Sequence, residues 1–103
     1  MPIQPVQQTP ETQQIEAVLR QAYPRGQVDA YRQNVASIRV RVIDEAFGGK
    51  TLADREDEVV RLLEKKLPEE LIGDILFLLL LTPGEAPNSF INVEFEGPVP
   101  STL

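Results

Sequence analysis

The chain has 103 residues, 10 basic and 16 acidic, for a formal net charge of -6, a length that suits one small domain and not two. It contains no Cys, His or Trp, which excludes a disulfide framework, a thiolate nucleophile, a zinc site with Cys or His ligands, a Ser-His-Asp triad and a histidine general base. The longest apolar run, Ile75 to Leu81, has seven residues against the roughly 20 that a membrane-spanning helix needs. Met1 to Gln8 lacks the basic start and apolar stretch of a signal peptide, so the expectation is a cytoplasmic protein with no membrane contact.

Residues 1–8 read as a disordered lead. Thr9-Pro10-Glu11 then has the chemistry of a helix start: an N-cap hydroxyl, a proline where a missing N–H costs nothing, and an acid at the positive end of the dipole. Ile15, Val18, Leu19 and Ala22 recur at helical spacing, and Tyr23-Pro24 with Gly26 ends the helix. Val28, Ala30 and Arg32 alternate with Asp29, Tyr31 and Gln33, a strand pattern with a turn at Gln33-Asn34. In the next strand Ile38, Val40 and Val42 share one face and Arg39 and Arg41 the other, and the short spacing predicts an antiparallel hairpin.

Phe47-Gly48-Gly49-Lys50 is a loop, and Thr51 with Asp54 caps a helix running to about Lys66. Leu52, Val59, Leu62 and Leu63 form its expected buried stripe. Pro68 breaks the pattern and opens a second short helix ending near Gly73. Ile75 to Leu81 reads as a strand buried on both faces, joined to the hairpin through a helical crossover and therefore parallel to its neighbour. Phe90 to Glu96 alternates Ile91, Val93 and Phe95 with Asn92, Glu94 and Glu96, the period of an extra strand over 90–96 in a Pro-rich acidic tail over 83–103.

Three constellations invite chemistry. Gly49-Lys50-Thr51 lies between a strand and a helix, but the place of the first P-loop glycine is held by Asp44, an anion where phosphate would sit. Asp54, Glu56, Asp57 and Glu58 match no calcium loop and suit a solvated first turn. Arg32, Arg39 and Arg41, with Tyr31 nearby, would make a basic sheet face, although single-stranded nucleic acid usually requires several stacking rings. Only carboxylates, Lys, Arg and two Tyr remain for chemistry, so no enzyme and no cofactor are expected.

The pattern from Ile15 to Glu85 resembles the BolA-like family. The residues that carry the likeness are Ile15-Glu16-Ala17-Val18-Leu19, Ser37-Ile38-Arg39-Val40-Arg41-Val42, Phe47-Gly48-Gly49-Lys50, Arg55, and Leu81-Thr82-Pro83-Gly84-Glu85. The resemblance implies an α/β fold similar to class II KH domains, and a link to transcriptional control and iron–sulfur homeostasis through monothiol glutaredoxins. Where the family signature on the central helix reads Arg-His-Arg, this chain has Arg55-Glu56-Asp57. The joint Lys66-Leu67-Pro68-Glu69-Glu70 lacks the glycine pair with which a KH domain grips phosphates.

The expectation is a single α+β domain over 9–82 in α-β-β-α-α-β order, a mixed three-stranded sheet with helices packed on one face. Its expected role is a non-enzymatic regulatory module acting through protein partners, a glutaredoxin-like partner being bound without metal. The alternative is a nucleic-acid-binding regulator. The nominated contact residues are Arg32, Arg39, Arg41, Lys50 and Arg55.

Overall fold

The computed structural model describes residues 7–96, and the elements follow the expected order. Helix α1 (Pro10–Ala22) starts at Thr9, whose hydroxyl accepts from the Thr12 N–H, while the Thr12 hydroxyl accepts from the Thr9 N–H. This reciprocal cap satisfies two orphan donors. Strands β1 (Gln27–Asn34) and β2 (Ser37–Ile43) form the antiparallel hairpin, with Val28 opposite Val42 and Ala30 opposite Val40. The turn falls at Val35-Ala36, two residues beyond the expected Gln33-Asn34, because the Asn34 side chain accepts from the Ala36 N–H and ends the ladder.

A 3-10 turn (Glu45–Phe47) leads to α2 (Leu52–Lys66) and the short α3 (Glu69–Gly73). Strand β3 (Ile75–Leu81) then lies parallel to β2, giving the order β1-β2-β3. Between the pairs Ile38–Ile75 and Arg39–Phe77 the third strand carries one extra residue, Leu76, which the bulge leaves exposed.

Helices α1, α2 and α3 cover one face of the sheet. There Ile15, Leu19, Val59, Leu63 and Leu71 meet Val28, Ala30, Ile38, Val40, Val42 and Leu80 in one buried cluster. The helix α2 stripe is rotated from the expected one. Arg55, Val59 and Leu63 point inward, Leu62 is half-buried and Leu52 is exposed. The cause is a buried charge: Arg55 fixes the phase of the first turn, and Leu52 at the preceding turn is left in solvent.

The tail corrects the sequence reading. After a 3-10 turn (Ala86–Asn88), residues Phe90–Glu94 form a helix, α4, rather than a strand. Ser89 caps it, accepting from the Asn92 N–H. The segment crosses the second face of the sheet, where Tyr31, Leu79, Leu81 and Phe95 are buried together. A helical spacing turns Asn92 and Phe95 to the sheet, which a strand's period of two would not do. The three helices of the expected order share one face, and the tail adds α4 on the other. Residues 1–6 of the expected lead lie outside the described residues, but Gln7 is buried and the Gln8 amide donates to the Ala30 carbonyl at 3.4 Å.

Two glycines are fixed by geometry. A Cβ on Gly26 would stand 2.8 Å from the Ile43 carbonyl oxygen, and Gly49 has φ of 76°. Among the described residues no helix is long and apolar enough to cross a membrane.

Because Leu63 is in the core and Leu52 is not, the two positions separate the observed helix phase from the expected one. Leu63→Ala should cost ~2–5 kcal/mol and Leu52→Ala no more than about 0.5 kcal/mol in urea unfolding. Equal losses at the two sites would reject the phase.

Candidate partner-binding surface

The five nominated cations do not assemble into one exposed face. Arg41 is 1% exposed. Its Nε and Nη2 donate to Oδ2 of Asp29, the residue directly opposite on β1, at 2.9 and 2.5 Å. Its Nη1 donates to Asn92 Oδ1 at 2.7 Å, and its guanidinium lies 5.1 Å from the Phe95 ring centroid. Arg39 stacks on Phe77, its neighbour across β2 and β3, at 5.4 Å. Arg32 spans the sheet end, donating to Asp74 at 3.0 Å and Glu11 at 3.4 Å.

Arg55 is the other sequestered guanidinium, 4% exposed. It donates to the carboxylate of Glu85 at 2.7 and 3.1 Å, to the Leu80 carbonyl at 3.0 Å and to the Lys50 carbonyl at 3.1 Å. The Phe47 ring centroid lies 5.9 Å away. Glu85 also accepts from the Thr82 N–H at 2.9 Å. The Arg55 guanidinium, with that amide bond, holds the Glu85 carboxyl down to about 2. Lys50, the fifth cation, pairs with Glu58.

Glu58 in turn accepts from the Tyr23 hydroxyl at 2.6 Å. Its carboxyl is held below the usual range by the Lys50 bond first and the Tyr23 bond second, while burial pushes the Tyr23 phenol up. These groups edge a shallow cleft of about 490 Å³ between the end of α1 and the flank of α2, lined among others by Arg25, Asp44, Ala46 and Leu62. Sequence reasoning missed this cleft, because no local motif joins Tyr23 to Glu58.

The surface keeps large apolar side chains at the sheet end. Val35 at the hairpin tip is 83% exposed and Leu76 at the bulge 66%. The pairing of Ile38 with Ile75 puts both at the same end of the sheet, where Arg32 ties β1 to Asp74 just before β3. Lys65 and Lys66, which would have to join the arginines in a nucleic-acid surface, lie exposed in the last turn of α2.

The resemblance implies an iron–sulfur cluster, and the donor set does not fit one. Cluster iron takes thiolate or imidazole, the chain has neither, and Glu56 at the family's histidine position is an exposed carboxylate. Among the described residues no group of three or more carboxylates is placed to hold a metal ion.

No protein-family model matches the chain, and no curated protein matches it. Among solved structures it is similar to the XC975 protein, known from a solution structure. The two share 25% sequence identity with a TM-score of 0.53, over 76% of this chain and 95% of that one.

The Arg55–Glu85 pair makes stability acid-sensitive in a defined window. A carboxyl depressed from its ordinary 4.5 to about 2 stabilises the fold fully above its unfolded pKa, and the contribution is lost as pH falls through the folded one. The urea midpoint of Glu85→Gln should lie below that of the parent by a constant gap from pH 7 to 5. That gap should shrink between about pH 4.5 and 2. A gap independent of pH throughout would show the pair to be unimportant.

Proposed function

We propose that this protein is a non-enzymatic regulatory module of BolA-like type that acts in the cytoplasm by binding a protein partner. The observation that carries the reading is the fate of its charges. Arg41 and Arg55 are buried and paired with Asp29 and Glu85, Arg32 is paired with Asp74 and Glu11, and Arg39 lies on the Phe77 ring, while Val35 and Leu76 stand out at one sheet end. Exposed apolar side chains at one end of the sheet suit a protein partner, and a chain of net charge -6 repels a polyanion. The residues that carry the resemblance also converge: Arg55 joins the Phe47-Gly48-Gly49-Lys50 loop to the Thr82-Pro83-Gly84-Glu85 turn, which supports reading them as one unit.

A monothiol glutaredoxin is the partner class that the resemblance brings forward. Its contact with this chain would be driven by shape and apolar area, without shared metal. Val35→Asp with Leu76→Asp should abolish glutaredoxin binding by calorimetry in the presence of EDTA, with thermal melting nearly unchanged, as expected for surface sites. Addition of the protein to a reconstituted glutaredoxin cluster should leave its visible spectrum unaltered. A new absorption band, or a gel-shift of single-stranded nucleic acid at low salt, would refute the reading.

A further inference from the structure

The outer sheet face, covered by α4, has the construction of a recognition site. Arg41 is oriented from within the sheet: Nε and Nη2 are both bound to Asp29 on the adjacent strand. That leaves Nη1 to meet the tail, where it donates to Asn92 Oδ1 at 2.7 Å and reaches the Asn92 carbonyl at 3.4 Å and Glu96 at 3.5 Å. Beside it Phe95 fills an apolar seat, edge-on to Tyr31 with centroids 5.2 Å apart and packed with Leu79 and Leu81.

The cover itself is slight. Helix α4 has five residues, far below the length at which a helix is stable alone. Ile91 and Val93 on it are 43% and 67% exposed, so neither of these two apolar side chains is buried against the sheet. The chain before it is anchored independently, because Glu85 is locked to Arg55 and the Thr82 amide. The first face has its own buried cluster, formed among the described residues by α1, α2, α3 and the sheet. Release of residues 86–96 would leave that core and the Asp29–Arg41 pair intact.

We propose that the outer sheet face is a peptide-docking groove, with the chain's own tail as its resident competitor. Its external ligand is a protein segment that presents an aromatic ring with an oxygen acceptor three residues earlier, as Phe95 and Asn92 do. The aromatic ring enters the Tyr31–Leu79–Leu81 seat and the acceptor takes Arg41 Nη1. This deepens the reading of the protein as a partner-binding module by giving a second surface, opposite the three-helix layer, and the chemistry that fits it.

The probe is a labelled synthetic peptide with the sequence of residues 86–96, titrated against the full chain and against full-length Phe95→Ala. A tethered competitor acts at an effective concentration on the order of 1 mM, so the parent groove should be nearly closed to the free peptide. Phe95→Ala empties the seat and should bind the peptide roughly 30-fold or more tightly than the parent, the scale of an aromatic hot spot. A peptide in which phenylalanine 95 is itself replaced by alanine should not bind.

Failure of the folded Phe95→Ala chain to bind the peptide would overturn the groove and leave glutaredoxin binding at Val35 and Leu76 untouched. Loss of that binding would do the reverse. Should Phe95→Ala not fold, hydrogen exchange on the parent decides. Amides 90–96 exchanging far faster than those of β2 support the groove, and exchange of the two together makes the tail part of the core and overturns it.

Discussion

The Arg55 guanidinium is the constraint on which the arrangement of this fold rests. It enters from the first turn of α2, where a helix ordinarily turns an apolar residue inward, and it binds three separate segments. These are the loop before α2 through the Lys50 carbonyl, β3 through the Leu80 carbonyl, and the turn after β3 through Glu85. Burying an unpaired cation would cost several kcal/mol. The three acceptors therefore have to be in place together, and they set the phase of the helix against the sheet. The exposure of Leu52 and the half-burial of Leu62 follow from that phase.

Arg41 plays the corresponding part on the opposite face. The two most deeply sequestered cations each take a carboxylate, Asp29 or Glu85, so neither leaves an uncompensated charge inside. The consequence appears at the surface. With guanidiniums withdrawn into the fold, the exterior keeps the bulk of the acidic excess. A net acidic exterior disfavours a polyanion on average, whereas an apolar sheet end is indifferent to it. Charge placement, more than charge count, is therefore what the proposed partner-binding role rests on.

Much of this was legible in the residues. Thr9-Pro10 marks α1, the alternation of Ile38, Val40 and Val42 against Arg39 and Arg41 marks β2, and Pro68 divides α2 from α3, as the structure has them. The tail was not. Its Ile91, Val93 and Phe95 have a strand's period, and that signal competes with Ser89 three residues before Asn92, a helix cap. The residue pattern held the means to decide. A β3 apolar on both faces needs cover on both, and three helices on one face leave Leu79 and Leu81 bare. The segment after β3 supplies that cover through Phe95. The pairings of Arg55 with Glu85 and Arg41 with Asn92 join residues 30 and 51 positions apart. No local spacing encodes them, so the same arginines read in sequence as surface contacts.

The edges of the sheet narrow the routes by which a partner can approach. Strand β1 is an outer strand, and an open outer strand is a template for pairing with another chain. Here α1 and the residues before it close it with side chains: Glu16 accepts from the Ala30 N–H at 2.9 Å, Arg20 donates to the Val28 carbonyl at 3.1 Å, and Gln8, ahead of the helix, donates to the Ala30 carbonyl. Burial raises the Glu16 carboxyl pKa, opposed by the amide bond and by Arg20, so a buried acid is the cost of sealing that edge. On the other outer strand Arg55 occupies the Leu80 carbonyl, and the bulge at Leu76 breaks the regular ladder. Neither edge offers an unbroken row of backbone groups to an added strand. The two surfaces proposed above for a partner, the sheet end where Val35 and Leu76 protrude and the face that α4 overlies, would both engage it through side chains.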